Sequence, residues 1–155
     1  MRRAAIVLVV LAAGLVGRSD ARAEPPLAAA GTAQATSLIF TDSRMADGNT
    51  IFEGVQQGLM TGTFTGTWIE HFRVVFHATG RTSFHSFVTF TGAVAGCGTG
   101  TVPFVVEGQG EGPVTEGHLG TVNTSENTAD VHAELSFRAF VPTGTIAYSG
   151  TYHCG

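Results

Sequence analysis

Residues 61–77 form a long stretch in which apolar and polar side chains alternate. The even positions carry mostly bulky apolar residues, such as Phe64, Trp68 and Phe72, and the odd positions are mostly polar. A period of two residues is typical of an antiparallel strand with one face on a core and one face in solvent. We therefore predict a long strand over residues 60–77, with a bend near Gly62 or Gly66, because an interior glycine often marks a bulge or a barrel corner. One residue breaks the pattern, because Glu70 is an acid on the apolar face.

The residues that follow predict the partner of this strand. Ala78, Thr79 and Gly80 are turn formers, and a three-residue turn with Gly80 in the left-handed conformation joins two strands in a hairpin. Among the possible registers, this one keeps the apolar faces of both strands on the same side. The predicted cross-strand pairs are Val74 with Phe84, Glu70 with Val88, and Trp68 with Phe90.

Shorter alternating segments, separated by turns rich in Gly, Pro, Asn and Asp, complete the chain. About eight strands and no helix are predicted, which indicates an all-β fold built as an antiparallel sandwich or barrel. The remaining predicted strands outside the hairpin are 36–41, 50–55, 99–107, 115–122, 129–141 and 145–153.

Two short internal sequence similarities favour a barrel. Thr-Phe-Thr-Gly-Thr at residues 63–67 recurs as Thr-Phe-Thr-Gly-Ala at 89–93, and Tyr-Ser-Gly-Thr-Tyr at 148–152 has a similar rhythm. Glycine flanked by threonine in successive strands lets a sheet coil tightly enough to close. We predict a single antiparallel eight-stranded β-barrel.

These motifs resemble the allene oxide cyclase-like barrel, a superfamily similar in architecture to dirigent proteins that includes small exported bacterial members of unknown function. The resemblance covers residues 36–155 and rests on the glycine and aromatic rhythm. It implies an allene oxide cyclase-like fold and, for an enzyme of that group, a cofactor-free isomerase or cyclase. The tripeptide Gly66-Thr67-Trp68 also matches the Gly-x-Trp of lipocalins. A calycin-like barrel is therefore the second interpretation.

The N-terminus has the pattern of a secretory signal peptide. Arg2 and Arg3 precede an apolar segment at 4–16, and Ala-Arg-Ala at 21–23 is a small-x-small cleavage site. We predict that residues 1–23 are removed and that the protein is secreted to the extracellular side. Residues 24–35 are small, contain proline and lack an apolar period, so we predict a disordered lead-in to a barrel domain at 36–155.

The net charge and the number of cysteines limit which partners and which cellular compartment are expected. After signal cleavage the chain has four arginines, no lysine and eleven acidic residues, a net charge of −7. This balance argues against nucleic acid and anionic membrane as partners. The two cysteines, Cys97 and Cys154, are predicted to form a disulfide, as expected in an oxidising compartment.

Six histidines raise the question of a metal site. Three of them, His71, His77 and His85, share the predicted outer face with arginines, and the other three lie on other strands. No His-x-His or His-x-x-x-His spacing occurs. Positive side chains repel a metal cation, and the ligand spacing of zinc or copper sites is missing. We predict neither a metal nor another cofactor.

Glu70 is the candidate catalytic residue. In the predicted register its carboxyl faces an apolar interior, where loss of water raises the pKa of an acid and prepares it for proton transfer. A local bulge or a wet position at the barrel mouth would instead place Glu70 in solvent. The predicted ligand-binding residues around it, of which the two tyrosines fit a packing role equally well, are Trp68, Phe72, Phe84, Val88, Tyr148 and Tyr152.

Three functions are compatible with these features. The first is a secreted barrel that binds a small hydrophobic molecule, as a simple binder or a lipocalin-like carrier, or that simply has a packed interior. The second is an isomerase or cyclase that acts on a hydrophobic intermediate, with Glu70 as its charged group. The third is an interaction module that forms a homo-oligomer, such as a trimer, through apolar residues on the outer face. Those residues are Ile69, Val75, Phe87 and Val105.

Overall fold

The computed structural model describes residues 25–155, which form one closed antiparallel β-barrel. Each strand pairs with the next along the chain, and β8 pairs with β1 to close the barrel. A short 3-10 turn, Val141–Thr143, precedes the last strand. The strands are β1 (Leu27–Ala46), β2 (Asn49–Gly62), β3 (Phe64–Phe76), β4 (Arg81–Val94), β5 (Gly98–Glu111), β6 (Val114–Thr121), β7 (Val131–Phe140) and β8 (Thr145–Cys154).

The predicted all-β class and the eight-stranded antiparallel barrel are confirmed. The signal peptide predicted for residues 1–23 lies outside the described residues. Within residues 25–155, no helix is long and apolar enough to cross a membrane.

The predicted hairpin between β3 and β4 is also confirmed. Glu70 lies opposite Val88, and Trp68 lies opposite Phe90. Gly80 has a φ of 84°, the left-handed conformation that the three-residue turn requires. The apolar faces of both strands consequently point into the barrel.

The prediction of one strand over residues 60–77 is wrong at its start. The chain reverses direction between β2 and β3, so that Met60 pairs with Gly66. Gly62 has a φ of 103°, and a Cβ at this position would lie 2.4 Å from the carbonyl oxygen of Ala30. Only glycine fits such a turn without strain. The threonine and glycine alternation continues through the reversal, which is why the sequence predicts only a bend near Gly62 or Gly66 and not a turn between two strands.

The disordered lead-in predicted for residues 24–35 is also wrong from Leu27 onward. This segment is the first half of β1 and pairs with β8 from Leu27 opposite Tyr152 to Gln34 opposite Thr145. Ala29 and Ala33 face the interior and are buried. Small side chains suit these positions because the large tyrosines of β8 already fill the space beside them. The strand is therefore specified by its partner and not by its own apolar pattern.

The interior has two unlike halves. At the end that holds the β2–β3 and β4–β5 turns, it is filled by aromatic rings around Phe64, which is completely buried. The centroid of the Phe64 ring lies 5.4 Å from that of Phe90, 5.7 Å from that of Phe104 and 6.0 Å from that of Tyr148. We call this end the packed half, and the opposite end, toward the β1–β2 and β3–β4 turns, the open half.

The predicted disulfide between Cys97 and Cys154 is confirmed, with a Cα–Cα distance of 5.3 Å. Cys97 lies in the β4–β5 turn and Cys154 ends β8, so the bond joins two sides of the barrel across the packed half. It fixes the C-terminal strand where that strand completes the closure against β1.

Candidate functional site

The open half of the barrel contains a cavity of about 290 Å³. All eight strands contribute to its walls, which are mainly apolar. Pockets that bind small organic molecules have about 300–1,000 Å³ and the same mixture of apolar walls with a few polar groups. The cavity therefore has the size and surface of a small-ligand site. Seven aromatic side chains line it, namely Phe40, Trp68, Phe72, Phe76, Phe84, Phe137 and Tyr148.

Most of the residues predicted to bind a ligand lie on this cavity. Trp68, Phe72, Phe84, Val88 and Tyr148 line it, as does Glu70. Tyr152 does not line it, and its role in ligand binding stays a prediction. Its ring packs near Phe64 in the packed half, and its hydroxyl donates a hydrogen bond of 2.8 Å to the carbonyl of Ala95.

Glycines on β2 explain why the aromatic residues of β3 leave the cavity open. Gly58 lies opposite Trp68, and Gly54 lies opposite Phe72. A Cβ on Gly58 would lie 2.8 Å from Cε2 of the indole, and one on Gly54 would lie 2.5 Å from Cζ of Phe72. Both rings therefore lie over the neighbouring strand, against the barrel wall. In this arrangement they line the cavity without filling its centre.

Glu70 is buried in the wall of the cavity, with 7% of its surface exposed. Gln56 Nε2 on β2 and Ser86 Oγ on β4 donate hydrogen bonds to its two carboxyl oxygens. Burial raises the pKa of Glu70 above its ordinary value of 4.5, and the two hydrogen bonds oppose that effect only in part. The prediction of an inward-facing, desolvated carboxyl is confirmed by this geometry, although its role in catalysis stays a prediction.

Trp68 brings a second polar group to the same wall. The side chain is 4% exposed, and its Nε1 has no hydrogen-bond partner among residues 25–155. A buried tryptophan N–H usually donates a hydrogen bond. The cavity wall thus contains an unused hydrogen-bond donor two residues from the buried acid.

Tyr148 lies at the floor of the cavity, between the two halves. Its hydroxyl accepts a 3.0 Å hydrogen bond from the backbone N–H of Phe64 and donates one of 3.0 Å to the carbonyl of Thr61. Burial raises the pKa of the Tyr148 hydroxyl above its ordinary value of 10.0, and the hydrogen bond from Phe64 opposes that shift. The hydroxyl therefore holds the β2–β3 turn in place and is not free for a ligand.

Two residues of the site, Gln56 and Phe40, are not among the predicted ligand-binding residues. Gln56 lies on the inward face of β2, two residues from Gly54 and two from Gly58, and would have been found if the predicted strand 50–55 had been extended. Phe40 was placed in a strand but not on the cavity. Its ring centroid lies 5.2 Å from that of Phe52 and 6.0 Å from that of Phe72, so the three rings form one side of the mouth.

Most of the histidines are separated from one another on the surface of the barrel. Arg73 pairs with His85 as predicted, and Nδ1 of His85 lies 3.5 Å from a carboxylate oxygen of Glu107. Within residues 25–155, no group of three or more His, Cys, Asp or Glu side chains is close enough to hold a metal ion. His132 and His153 stack with ring centroids 5.0 Å apart, but they form only a pair.

The outer face carries the apolar residues proposed for an interface. Ile69 is 47% exposed and Phe87 is 56% exposed, whereas Val75 and Val105 are half-buried. Exposed apolar residues on neighbouring strands suit a protein contact. Formation of a homo-oligomer through this face stays a prediction.

Comparison of the chain with models of known protein families found no match, and comparison with curated proteins found no significant similarity. The resemblance to allene oxide cyclase-like barrels and the tripeptide shared with lipocalins therefore stay predictions from short motifs. Any proposal about function has to rest on the geometry of the cavity.

Proposed function

We propose that this protein binds a small, mainly apolar molecule in the open half of the barrel. The observation that carries the proposal is the cavity of about 290 Å³, whose apolar walls include a cluster of polar groups around Glu70. A volume near the lower end of the range for ligand sites suits a compact molecule. Specific binding in such a cavity needs apolar contact for affinity and few polar groups for orientation.

The mouth of the cavity supports the same proposal. Phe40, Phe76 and Val141 line the cavity and are each about half exposed, between 46% and 59%. Apolar side chains left in water at the rim of a cavity cost free energy that an apolar ligand recovers when it covers them. The rim therefore favours a hydrophobic ligand over a polar one.

The single tryptophan of the chain makes a direct binding test possible. Trp68 lines the cavity, so its fluorescence reports on occupation without interference from another indole. We expect the n-alkanols from 1-butanol to 1-decanol to change this signal saturably. Affinity should rise about fourfold per added CH₂, because each buried methylene contributes about 0.8 kcal/mol, until the cavity is full.

A pair of variants controls for binding elsewhere on the barrel. Ala139→Phe adds a ring inside the cavity, whereas Ala147→Phe adds the same ring on the exposed face of the adjoining strand. Ala139→Phe should bind no alkanol or only the shorter ones. Ala147→Phe should bind the same alkanols as the wild type. A non-saturable response in the wild type, or equal binding by both variants, would refute a ligand site in the cavity.

One observation favours a second candidate, an isomerase or cyclase of the kind that the motif resemblance implies. Glu70 is a buried acid on an apolar cavity with a raised pKa, which suits proton transfer to a bound hydrophobic intermediate. Its two oxygens, however, already accept hydrogen bonds from Gln56 and Ser86. The test is Glu70→Gln, which in an enzyme should abolish turnover of a bound molecule while its binding persists.

We also propose that the protein acts outside the cytoplasm. The disulfide between Cys97 and Cys154 supports this location, because such bonds persist in oxidising compartments. The predicted signal peptide implies that the mature chain begins at Glu24, and N-terminal sequencing of the exported protein tests that expectation. A mature chain that retains residues 1–23 would contradict it.

A further inference from the structure

The second half of β1 is an unpaired edge of the sheet. β1 pairs with β8 over residues 27–34, and one further backbone hydrogen bond joins Ala35 to Gly144. Residues 37–46 then pair with β2 on one side, whereas the part of the chain that the structure describes supplies no backbone partner on the other side. We call residues 37–46 the free edge. Its outward N–H and C=O groups are available to another strand.

The free edge is exposed and carries large apolar side chains. Leu38, Ile39 and Phe40 are 52–60% exposed, and Met45 is 77% exposed. Proteins usually protect such an edge with lysine, proline or a covering segment, but residues 37–46 contain neither lysine nor proline. β1 has two register shifts, and the pairing is regular again over residues 42–46. A further strand that pairs with this edge would therefore satisfy its backbone groups and cover its apolar side chains.

The charge beside the free edge differs from that of the whole chain. The mature chain has a net charge of −7, so two copies repel each other over most of their surfaces. At this edge, Nη1 of Arg44 lies 3.3 Å from carboxylate oxygens of both Asp42 and Glu53, and Nε of Arg73 lies 3.9 Å from Glu53. The formal charges of these four side chains cancel. Two copies can meet here without net repulsion.

The sequence of the free edge is complementary to itself. Directly opposite residues of an antiparallel pair direct their hydrogen-bonding groups in the same way, so a symmetric pairing of two identical strands is centred on one residue. A centre on Ser43 sets Asp42 of each copy opposite Arg44 of the other, and no other centre does so. Centres on Asp42 or on Arg44 set like charges opposite each other, which is unfavourable.

We propose that two copies of this protein form a symmetric dimer in which their free edges pair antiparallel around Ser43. The ion pair between Asp42 and Arg44 within one chain is exposed and contributes little, so Arg44 can turn to Asp42 of the other copy. The paired segment is short, residues 40–46, and a small interface gives a Kd between about 1 µM and about 1 mM. The inference does not depend on the proposed ligand site.

Charge reversal tests this register. Asp42→Arg sets two arginines opposite each other and Arg44→Asp sets two acids opposite each other, so each variant alone should dimerise at least about tenfold more weakly than the wild type. An equimolar mixture of the two variants should recover the dimer, because both cross-strand pairs then have opposite charges. Sedimentation velocity of the full mature protein, up to about 1 mM, measures all three samples.

A cysteine on the symmetry axis gives a second measurement. Ser43→Cys sets two thiols opposite each other, at a Cα separation of about 4.5–5.5 Å that a disulfide can span. Thr89→Cys is the matched control, since it is exposed on β4 opposite Ile69, within the outer face discussed above. Mild oxidation should link Ser43→Cys into covalent dimers and leave Thr89→Cys mostly monomeric.

Three results would overturn the dimer. They are a wild type that sediments as a monomer at about 1 mM, a mixture of the charge variants that stays monomeric, and cross-linking of Thr89→Cys that equals or exceeds that of Ser43→Cys. The last result would assign association to the outer face of β3 and β4. None of them bears on alkanol binding in the cavity, which is measured separately by the fluorescence of Trp68.

Discussion

The two halves of the barrel are built from the same eight strands but use their inward positions differently. In the packed half, Phe64, Phe90 and Phe104 meet at the barrel axis and are almost fully buried. In the open half, Trp68 and Phe72 lie over glycines of β2 and leave a cavity. The two rings that lie over glycines of β2 fold against the wall, whereas the rings of the packed half pack against one another around Phe64. The difference teaches that stability and binding can be assigned to opposite ends of one small barrel.

The largest expected effect is a difference in stability between variants of the packed half and variants of the open half. Phe64→Ala should lower the free energy of unfolding by about 4 kcal/mol, because it leaves a void among four surrounding rings. Phe72→Ala, which removes the same ring from a half-buried position on the cavity, should cost about 1 kcal/mol. Urea denaturation of both variants measures the comparison through their midpoints. Equal losses would show that the open half is packed as tightly as the other.

A somewhat smaller effect should follow from removing the disulfide of the packed half. The bond joins residues separated by 57 positions in sequence. Chain entropy alone gives about 4 kcal/mol of stabilisation for such a loop, and the typical contribution of a disulfide is about 2–4 kcal/mol. The double change Cys97→Ser and Cys154→Ser should therefore lower the free energy of unfolding by that amount. The cavity should keep its ligand, because the disulfide lies at the other end of the barrel. A variant that stays folded but loses alkanol binding would show that the two halves are coupled.

The smallest effect concerns the open half and depends on pH. In the unfolded chain Glu70 loses its proton near its ordinary pKa of 4.5, whereas in the folded barrel burial raises that pKa. As pH rises above about 4.5, the unfolded state binds fewer protons than the folded state, so stability falls until the raised pKa is passed. The decline can reach at most about 1.4 kcal/mol per pH unit for one group.

The variant Glu70→Gln cannot ionise and should not show this decline, so it should be at least as stable as the wild type at neutral pH. Its amide can still accept from Ser86 Oγ, which limits other changes. Thermal unfolding of both proteins between pH 4 and pH 8 measures the difference. Parallel curves over this range would mean that water reaches the carboxyl, and the site would then have to be abandoned.

The alternation of apolar and polar residues in one hairpin was enough to predict the centre of the site. The two-residue period of residues 64–76 and the turn at Gly80 gave the register that sets Glu70 opposite Val88. Because successive side chains of a strand point to opposite faces, this register also places Trp68, Phe72 and Phe84 on the inner side. The inward acid and its apolar neighbours were therefore predictable from one hairpin.

Contacts between distant segments could not be predicted in the same way. Tyr152 and Tyr148 share a face of β8, yet one packs beside Phe64 and the other borders the cavity. The two tyrosines differ in their depth along the barrel axis. The alternation of apolar and polar residues shows which face of a strand is buried, but not this depth. Gln56 was missed because the glycines around it weakened the apolar signal of β2, although those glycines make room for the rings of β3.

The sequence by itself determined the strand class, the β3–β4 register, the disulfide and the inward position of Glu70, because each depends on neighbours in one hairpin or on a single pair of cysteines. Only the tertiary structure decided that residues 27–35 form a strand, since those small residues are ordered by pairing with β8 and by the tyrosines they accommodate. It also decided that the indole N–H of Trp68 is unpaired and that the open half is hollow. Such properties depend on how side chains from all eight strands pack together in one interior. The local alternation of apolar and polar residues does not determine that packing.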